Sequence, residues 1–232
     1  MPRRARISIA NIPYHVTQRG NNRQDVFFVD DDRRTYLSLL KHHCDDCGLE
    51  ILGWCLMPNH IHLIARPSTD DALSKALGRT HFHYTQYINR LHARTGHLWQ
   101  NRFYSCPLGR QHFWQAMRYI EQNPLRAGIV RHACDYPWSS AKAHVAARDA
   151  TGLLNLAYWR QIASQIDWSA VLQKNQPPAL VDQLRLSTRT GRPLADDAFL
   201  SKLETLLNKR LRPLPPGRPT KPKTRDRHRF SC

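Results

Sequence analysis

The sequence predicts an α+β fold, one antiparallel sheet with helices on its faces. Three observations point there: strand-like and helix-like runs alternate in a fixed order, a tight Met57-Pro58-Asn59 turn joins two adjacent apolar runs, and helix-ending residues fall where the periodicity changes. Residues 12–19, IPYHVTQR, read as the first strand, and GNNR then supplies turn residues before the short apolar run VFFV. DDDRRTYLSLLKHHCDDCG opens on acidic residues, spaces Tyr36, Leu39 and Leu40 as a helix does and ends on Gly48, a capped amphipathic helix. LEILGWCLM and HIHLIARP pair as a hairpin about the MPN turn. A second helix runs from about Asp71 to His92, residues 98–108 are extended, and QHFWQAMRYIEQN is a helix stopped by Pro124.

That order, strand, helix, strand, strand, helix, strand, helix, matches the ferredoxin-like split βαβ arrangement. The compact unit is expected to span 1–145. Apolar stretches at 153–172 suggest a helical extension over 146–212, and from Pro213 the chain becomes rich in Pro, Lys and Arg, a basic tail over 213–232 that cannot form a core. Its Gly217-Arg218-Pro219 is a weak likeness to a minor-groove hook.

Composition narrows the function. The 232 residues are 41% hydrophobic, enough for a real core, while 35 Lys+Arg against 18 Asp+Glu give a net charge of +17 and a pI near 10.2. Such an excess suits a polyanionic partner, nucleic acid first, better than the small substrates of an ordinary metabolic enzyme. No run of about 18 apolar residues suggests a membrane span. The basic start is interrupted by Asn11 and Pro13 before a signal h-region forms, so a cytoplasmic, nucleoid-associated protein is expected. The six scattered cysteines read as reduced thiols. Cys44 and Cys47, following His42 and His43, resemble half a zinc site that no second CxxC or HxxxH completes.

Within HIHLIARP, residues two apart share a side, so His60 and His62 project together while Ile61, Leu63 and Ala65 face a core. Two neutral imidazoles so placed can share a divalent ion; hydrogen-bonded histidines on a sheet surface are the plainer alternative. In RYIEQNPLRAGIV, Tyr119 and Asn123 are four apart and share a helix face. Tyr119 reads as a nucleophile, which needs activation because a free phenol has a pKa of about 10, or as a core aromatic beside Phe113, Met117 and Ile120.

Taken together, MPNHIHLIARP, RYIEQNPLRAGIV, YHVTQRGNNR and DYPWSSAKAH resemble the single-tyrosine HUH transposases (IS200-like), in particular the subgroup associated with repetitive extragenic palindromes (REPs). The likeness covers roughly residues 5–145. It implies that His60, His62 and Asn123 bind Mg²⁺ or Mn²⁺; relatives often have Gln where Asn123 stands, one methylene longer. It also implies that Tyr119 attacks a phosphate of single-stranded or hairpin DNA, giving a 5′-phosphotyrosine and a free 3′-OH that can reverse the step on another strand. No GxxxxGK[ST] motif is present, and none is needed where bond energy is conserved. A monomer with a tail suits this subgroup, dimers being known among relatives.

For DNA contact, the segment 81–104 interleaves aromatics with Arg90, Arg94 and Arg102, although half or more of those rings are expected in the core. Arg19, Asn21, Asn22 and Arg23 form a polar loop that either contacts bases or is a plain turn, and Arg126 beside the tyrosine helix is a further phosphate candidate. Arg192, Lys209, Arg210 and Arg212 are expected to add non-specific affinity. Two rival readings stay open: a non-catalytic basic DNA-binding or architectural protein, and a metal-dependent nuclease that activates water.

Overall fold

A computed structural model describes residues 7–212; the basic tail 213–232, with its Gly-Arg-Pro triplet and Cys232, lies outside the described residues. Four strands form one antiparallel sheet in the order β2-β3-β1-β4: β1 Tyr14–Arg19, β2 Leu49–Met57, β3 His60–Pro67 and β4 Tyr104–Pro107. Helix α1 (Asp30–Cys47) joins β1 to β2, and α2 (Ala72–Leu91) joins β3 to β4, which is the expected ferredoxin-like split βαβ connection. The strand read over 98–108 forms only as β4, and residues 98–103 instead lie as a loop whose Gln100 N–H donates to the Arg19 carbonyl.

Local chemistry sets the element ends. Asp32 turns back over the start of α1, its Oδ2 accepting from the N–H groups of Phe28 (2.7 Å) and Val29 (3.0 Å), and so satisfies two donors there. Gly48 closes the helix at φ 68°.

Strand alternation sorts the core into two layers. Ile61, Leu63 and Ala65 of β3 join Tyr36, Leu40, Leu73, Leu77 and Tyr84 of α1 and α2 on one face. On the other face Ile64, Cys55 and Met57 meet Phe113, Ala116, Met117 and Ile120 of α3 (Arg110–Glu121), four residues at helical spacing. Gly53 permits this contact: a Cβ there would come within 2.3 Å of the Met117 sulfur, so the helix lies against β2 where the β2–β3 register shifts.

The tyrosine helix ends before Pro124, as its sequence suggests, but a new turn follows at once. The helix ends at Glu121, and Pro124 sits inside a further turn, α4 (Asn123–Arg126), near its start, where a missing N–H costs nothing.

The chain after 145 does more than extend the fold. Trp159 of α6 (Leu156–Ala163), Trp168 and Leu172 of α7 (Trp168–Gln173), and Val181 and Leu184 of α8 (Pro178–Thr190) belong to the same buried cluster as α3. A buried carboxylate ties them together: Glu121 accepts from Trp168 Nε1 (2.7 Å) and Ser140 Oγ (2.5 Å) and pairs with His144 Nδ1 (2.6 Å), His144 lying on α5 (Ala141–Ala146). A final helix, α9 (Asp197–Leu207), packs Leu203 against Ile9 and Leu211. Arg212, expected among free cations for DNA, is instead engaged by Glu204 and Asp197. Among the described residues, no helix is long and apolar enough to cross a membrane, and Cys44, Cys47, Cys55, Cys106 and Cys134 are free thiols.

Candidate active site

The residues singled out on β3 and the tyrosine helix meet. His60 and His62 point to the α3 side with ring centroids 4.9 Å apart, and the Tyr119 ring stands edge-on to His62 at 5.4 Å. Asn123 Nδ2 lies 3.2 Å from His60 Nε2. The four side chains come from segments about 60 residues apart, brought together because α3 crosses the face of the sheet onto which β3 projects its even-numbered residues.

Hydrogen bonds fix how the two histidines present themselves. His60 Nδ1 is 2.6 Å from Asn59 Oδ1, which can only accept, so the imidazole proton resides on Nδ1 and Nε2 keeps its lone pair. For His62 the direction is set at a distance, beginning with the Thr188 hydroxyl, which donates to the Leu184 carbonyl (2.9 Å). That hydroxyl therefore accepts from His15 Nδ1 (2.7 Å), so His15 Nε2 is the acceptor for His62 Nδ1–H (2.9 Å). His62 Nε2 is thus also left with a lone pair. This is the arrangement of metal-bound histidines, whose second nitrogen donates to an outer acceptor that holds the ring and its tautomer.

Burial reinforces it. Desolvation lowers His60 to about 4, with a smaller contribution from Arg19, and lowers His15 to about 3. His62 also lies well below its ordinary value, mainly through burial and then through His60, His15, Arg126 and Arg19. The imidazoles are therefore neutral, as ligands must be, far below physiological pH. Two neutral imidazole nitrogens and an amide whose oxygen becomes available on rotation fit a divalent metal ion.

Tyr119 is 5% exposed, and its oxygen is approached by the Arg185 Nε at 3.4 Å. The Arg126 guanidinium lies over the ring, 4.2 Å from its centroid, and donates to the Tyr119 carbonyl (2.5 Å). Arg126 is therefore bound to the tyrosine it was expected to flank. His15, Thr188 and Arg185 went unnoticed in the sequence. A signal existed for His15, which shares strand parity with Thr17, the register partner of His62; for Thr188 and Arg185 on α8 there was none.

The polar residues proposed for DNA gather beside this cluster. Arg19 pairs in register with His60, Asn59 Nδ2 donates to the Arg23 carbonyl (3.1 Å), and Arg94 donates to Gln24 (2.9 Å). Asn21 N–H donates to the Leu98 carbonyl (2.8 Å), so the loop bearing Arg102 runs alongside. Asn22 (φ 50°) and Arg23 (φ 61°) are both in the left-handed region and form the centre of a tight turn closed by the Gln24 N–H on the Asn21 carbonyl (3.0 Å), which leaves both the turn and the base-contact readings open. Arg90 is exposed on the last turn of α2, next to the same loop. Of the rings in 81–104, Tyr84, Trp99 and Phe103 are buried, whereas Phe82 and Tyr104 are exposed.

Fold and cluster together define a class: a basic α+β protein with a histidine pair facing a helix-borne tyrosine, suited to nucleic-acid chemistry. The profile of the family described as Transposase IS200 like matches residues 8–123, and the chain belongs to that family of DNA-processing enzymes. A Haemophilus influenzae protein assigned as a REP-associated tyrosine transposase is 26% identical over 124 residues, covering 49% of this chain and 70% of the relative. A solved REP-associated tyrosine transposase, in complex with a REP hairpin, shares the fold with a TM-score of 0.56 at 23% identity, covering 67% of this chain and 90% of its own. The resemblance drawn from the four motifs therefore holds.

Proposed function

We propose that this chain cuts and rejoins single-stranded or hairpin DNA with Tyr119 as nucleophile and His60, His62 and Asn123 as ligands of Mg²⁺ or Mn²⁺. The observation that carries this is the convergence of two histidine lone pairs and the Asn123 amide beside a buried tyrosine. Held by His60, His62 and Asn123, such an ion would supply positive charge against the scissile phosphate. The phenolic oxygen of Tyr119 then attacks in line: an O–P bond forms to tyrosine, the bond from phosphorus to the 3′ oxygen breaks, and that oxygen takes up a proton as the 3′-OH. Arg185 and Arg126 place positive charge against the attacking oxygen and its ring. Because one phosphoester replaces another, a 3′-OH reverses the step without a nucleotide cofactor.

Residues 1–145 then serve as the HUH unit and 146–212 as a helical extension that completes the site through α8. Arg19, Asn21, Asn22, Arg23, Arg94 and Arg102, with Arg90 at their margin, guide DNA to the cluster. The substrate is a hairpin of the kind named for the solved relative, and the working form is a monomer in the cytoplasm.

The test is incubation with hairpin DNA and Mn²⁺. A denaturation-resistant protein–DNA adduct is expected, absent in Tyr119→Phe. A His60→Ala/His62→Ala chain should bind the same DNA without cutting it, since phosphate affinity comes mainly from Lys and Arg. Cleavage by Tyr119→Phe at the native rate would move the reading to activated water.

A further inference from the structure

On the opposite face of the sheet, at the seam between α1 and α2, lies a second histidine cluster that the reaction does not use. The ligand atoms of His42, His43 and Asp46 all fall within 4.8 Å of one another. His42 Nε2 and Asp46 Oδ2 are 3.5 Å apart, and two ligands of a tetrahedral ion at 2.0–2.2 Å are separated by about 3.4 Å. These two residues stand one helical turn apart, so the backbone already holds them at that spacing.

His43 provides the second, independent observation. It is 4% exposed, yet its Nδ1 has no hydrogen-bond partner, while its Nε2 lies 2.9 Å from Nδ1 of His83 on α2. A buried ring nitrogen without a partner is costly. If His43 donates its Nε2 proton to His83, the bare Nδ1 is a lone pair facing no donor, the form in which a metal-bound histidine is held by its outer partner.

The helix end adds a further reason. The last turn of α1 contains no basic residue and carries Asp46 toward the negative end of the helix dipole, where a cation is favourable; Asp45 is already paired with Lys41 at 2.9 Å. Cys44 and Cys47, the residues that first suggested zinc, do not supply the site. Cys44 is buried among the apolar side chains of the sheet face with its thiol pushed far up by burial, and Cys47 contacts Arg79.

We propose that His42, His43 and Asp46 form a second metal site, for Zn²⁺ or a similar borderline transition ion, with His83 holding His43 in its ligating tautomer. The mixed imidazole and carboxylate set favours such an ion over Mg²⁺, and the exposed side leaves a position for water. Occupied, the site clamps α1 to α2.

Calorimetric titration of the full chain with Zn²⁺, and absorption spectroscopy with Co²⁺ as a probe, test this. His42→Ala and Asp46→Ala, both at exposed positions, are expected to lower bound Zn²⁺ by one ion per chain, and the His60→Ala/His62→Ala chain should retain that ion. His83→Ala should weaken it by roughly 10–100-fold, the usual effect of removing an outer partner. DNA cleavage with Mn²⁺ by His42→Ala should equal that of the unaltered chain. Unchanged Zn²⁺ uptake in His42→Ala would overturn the proposal, and so would a sulfur-to-cobalt charge-transfer band, which would place Cys47 among the ligands.

Discussion

The two faces of the sheet are built from the same strands but hold different kinds of interior. Toward α1 and α2, β3 contributes Ile61, Leu63 and Ala65 to an apolar and aromatic layer that includes Tyr36, Tyr84 and Trp99. Toward α3 it contributes His60 and His62, and the polar atoms there are satisfied in sequence by Asn59, His15, Thr188 and Leu184. The buried part of the first face is complete within the first 103 residues or so apart from Leu153, with Trp138 and Leu154 packing at its edge. The second waits for α8, some 120 residues after β3: His15 of β1 partners His62, and the Nδ1 of His15 finds its own partner in Thr188. The apolar face is made almost locally, whereas the histidine face recruits distant chain.

Substitutions should separate the two faces. Tyr119→Phe is expected to reduce cleavage by on the order of 10⁴-fold or more, as loss of a nucleophile commonly does, while thermal unfolding moves little. Leu63→Ala on the opposite side of the same strand pair should do the reverse, costing about 2–5 kcal/mol of stability in denaturant titration and leaving the chemistry of the remaining folded protein intact. Equal loss of stability in both would erase the contrast.

Thr188→Val sharpens it further. It removes the acceptor for His15 while keeping the side-chain shape, and should weaken Mn²⁺ binding by roughly 10–100-fold, with Thr188→Ser restoring it. Rescue by Ser but not Val distinguishes orientation of His62 from mere packing.

The smallest expected effect concerns pH. His60 and His15 are lowered to about 4 and about 3, and His62 lies well below its ordinary value, so the unfolded chain takes up these protons before the folded one. The unfolded state binds more protons between those values and about 6.5, so stability falls as pH drops through that window and is fully present above it. The melting temperature should accordingly decline from about pH 7 to about pH 5, and less steeply in His60→Ala, which removes one of the titrating groups.

Much of this was readable in advance. Element order, the hairpin about Met57-Pro58-Asn59, and the shared projection of His60 and His62 follow from local periodicity, which depends on the chain alone. Tyr119 and Asn123 were recognisable by spacing and by family likeness. Pro124 marked the end of the tyrosine helix, but the further turn Asn123–Arg126 was not legible, because it depends on what packs around Gln122, whose side chain donates to the Leu172 and Lys174 carbonyls. Helical phase sends Cys44 into the core and leaves His42 and Asp46 outside, which separates the two cysteines that were read together.

The sequence by itself determined the sheet, its helical crossovers, the basic charge and which strand face bears the histidines, since period-two and period-3.6 patterns are set by neighbours along the chain. Only the tertiary structure decided that α3 lies close enough for Tyr119 to face His62, which Gly53 permits, and that Thr188 and Arg185 reach back to the site. Those contacts join residues with no sequence relation, and they exist because packing brings distant elements together and favours partners for the polar atoms it buries.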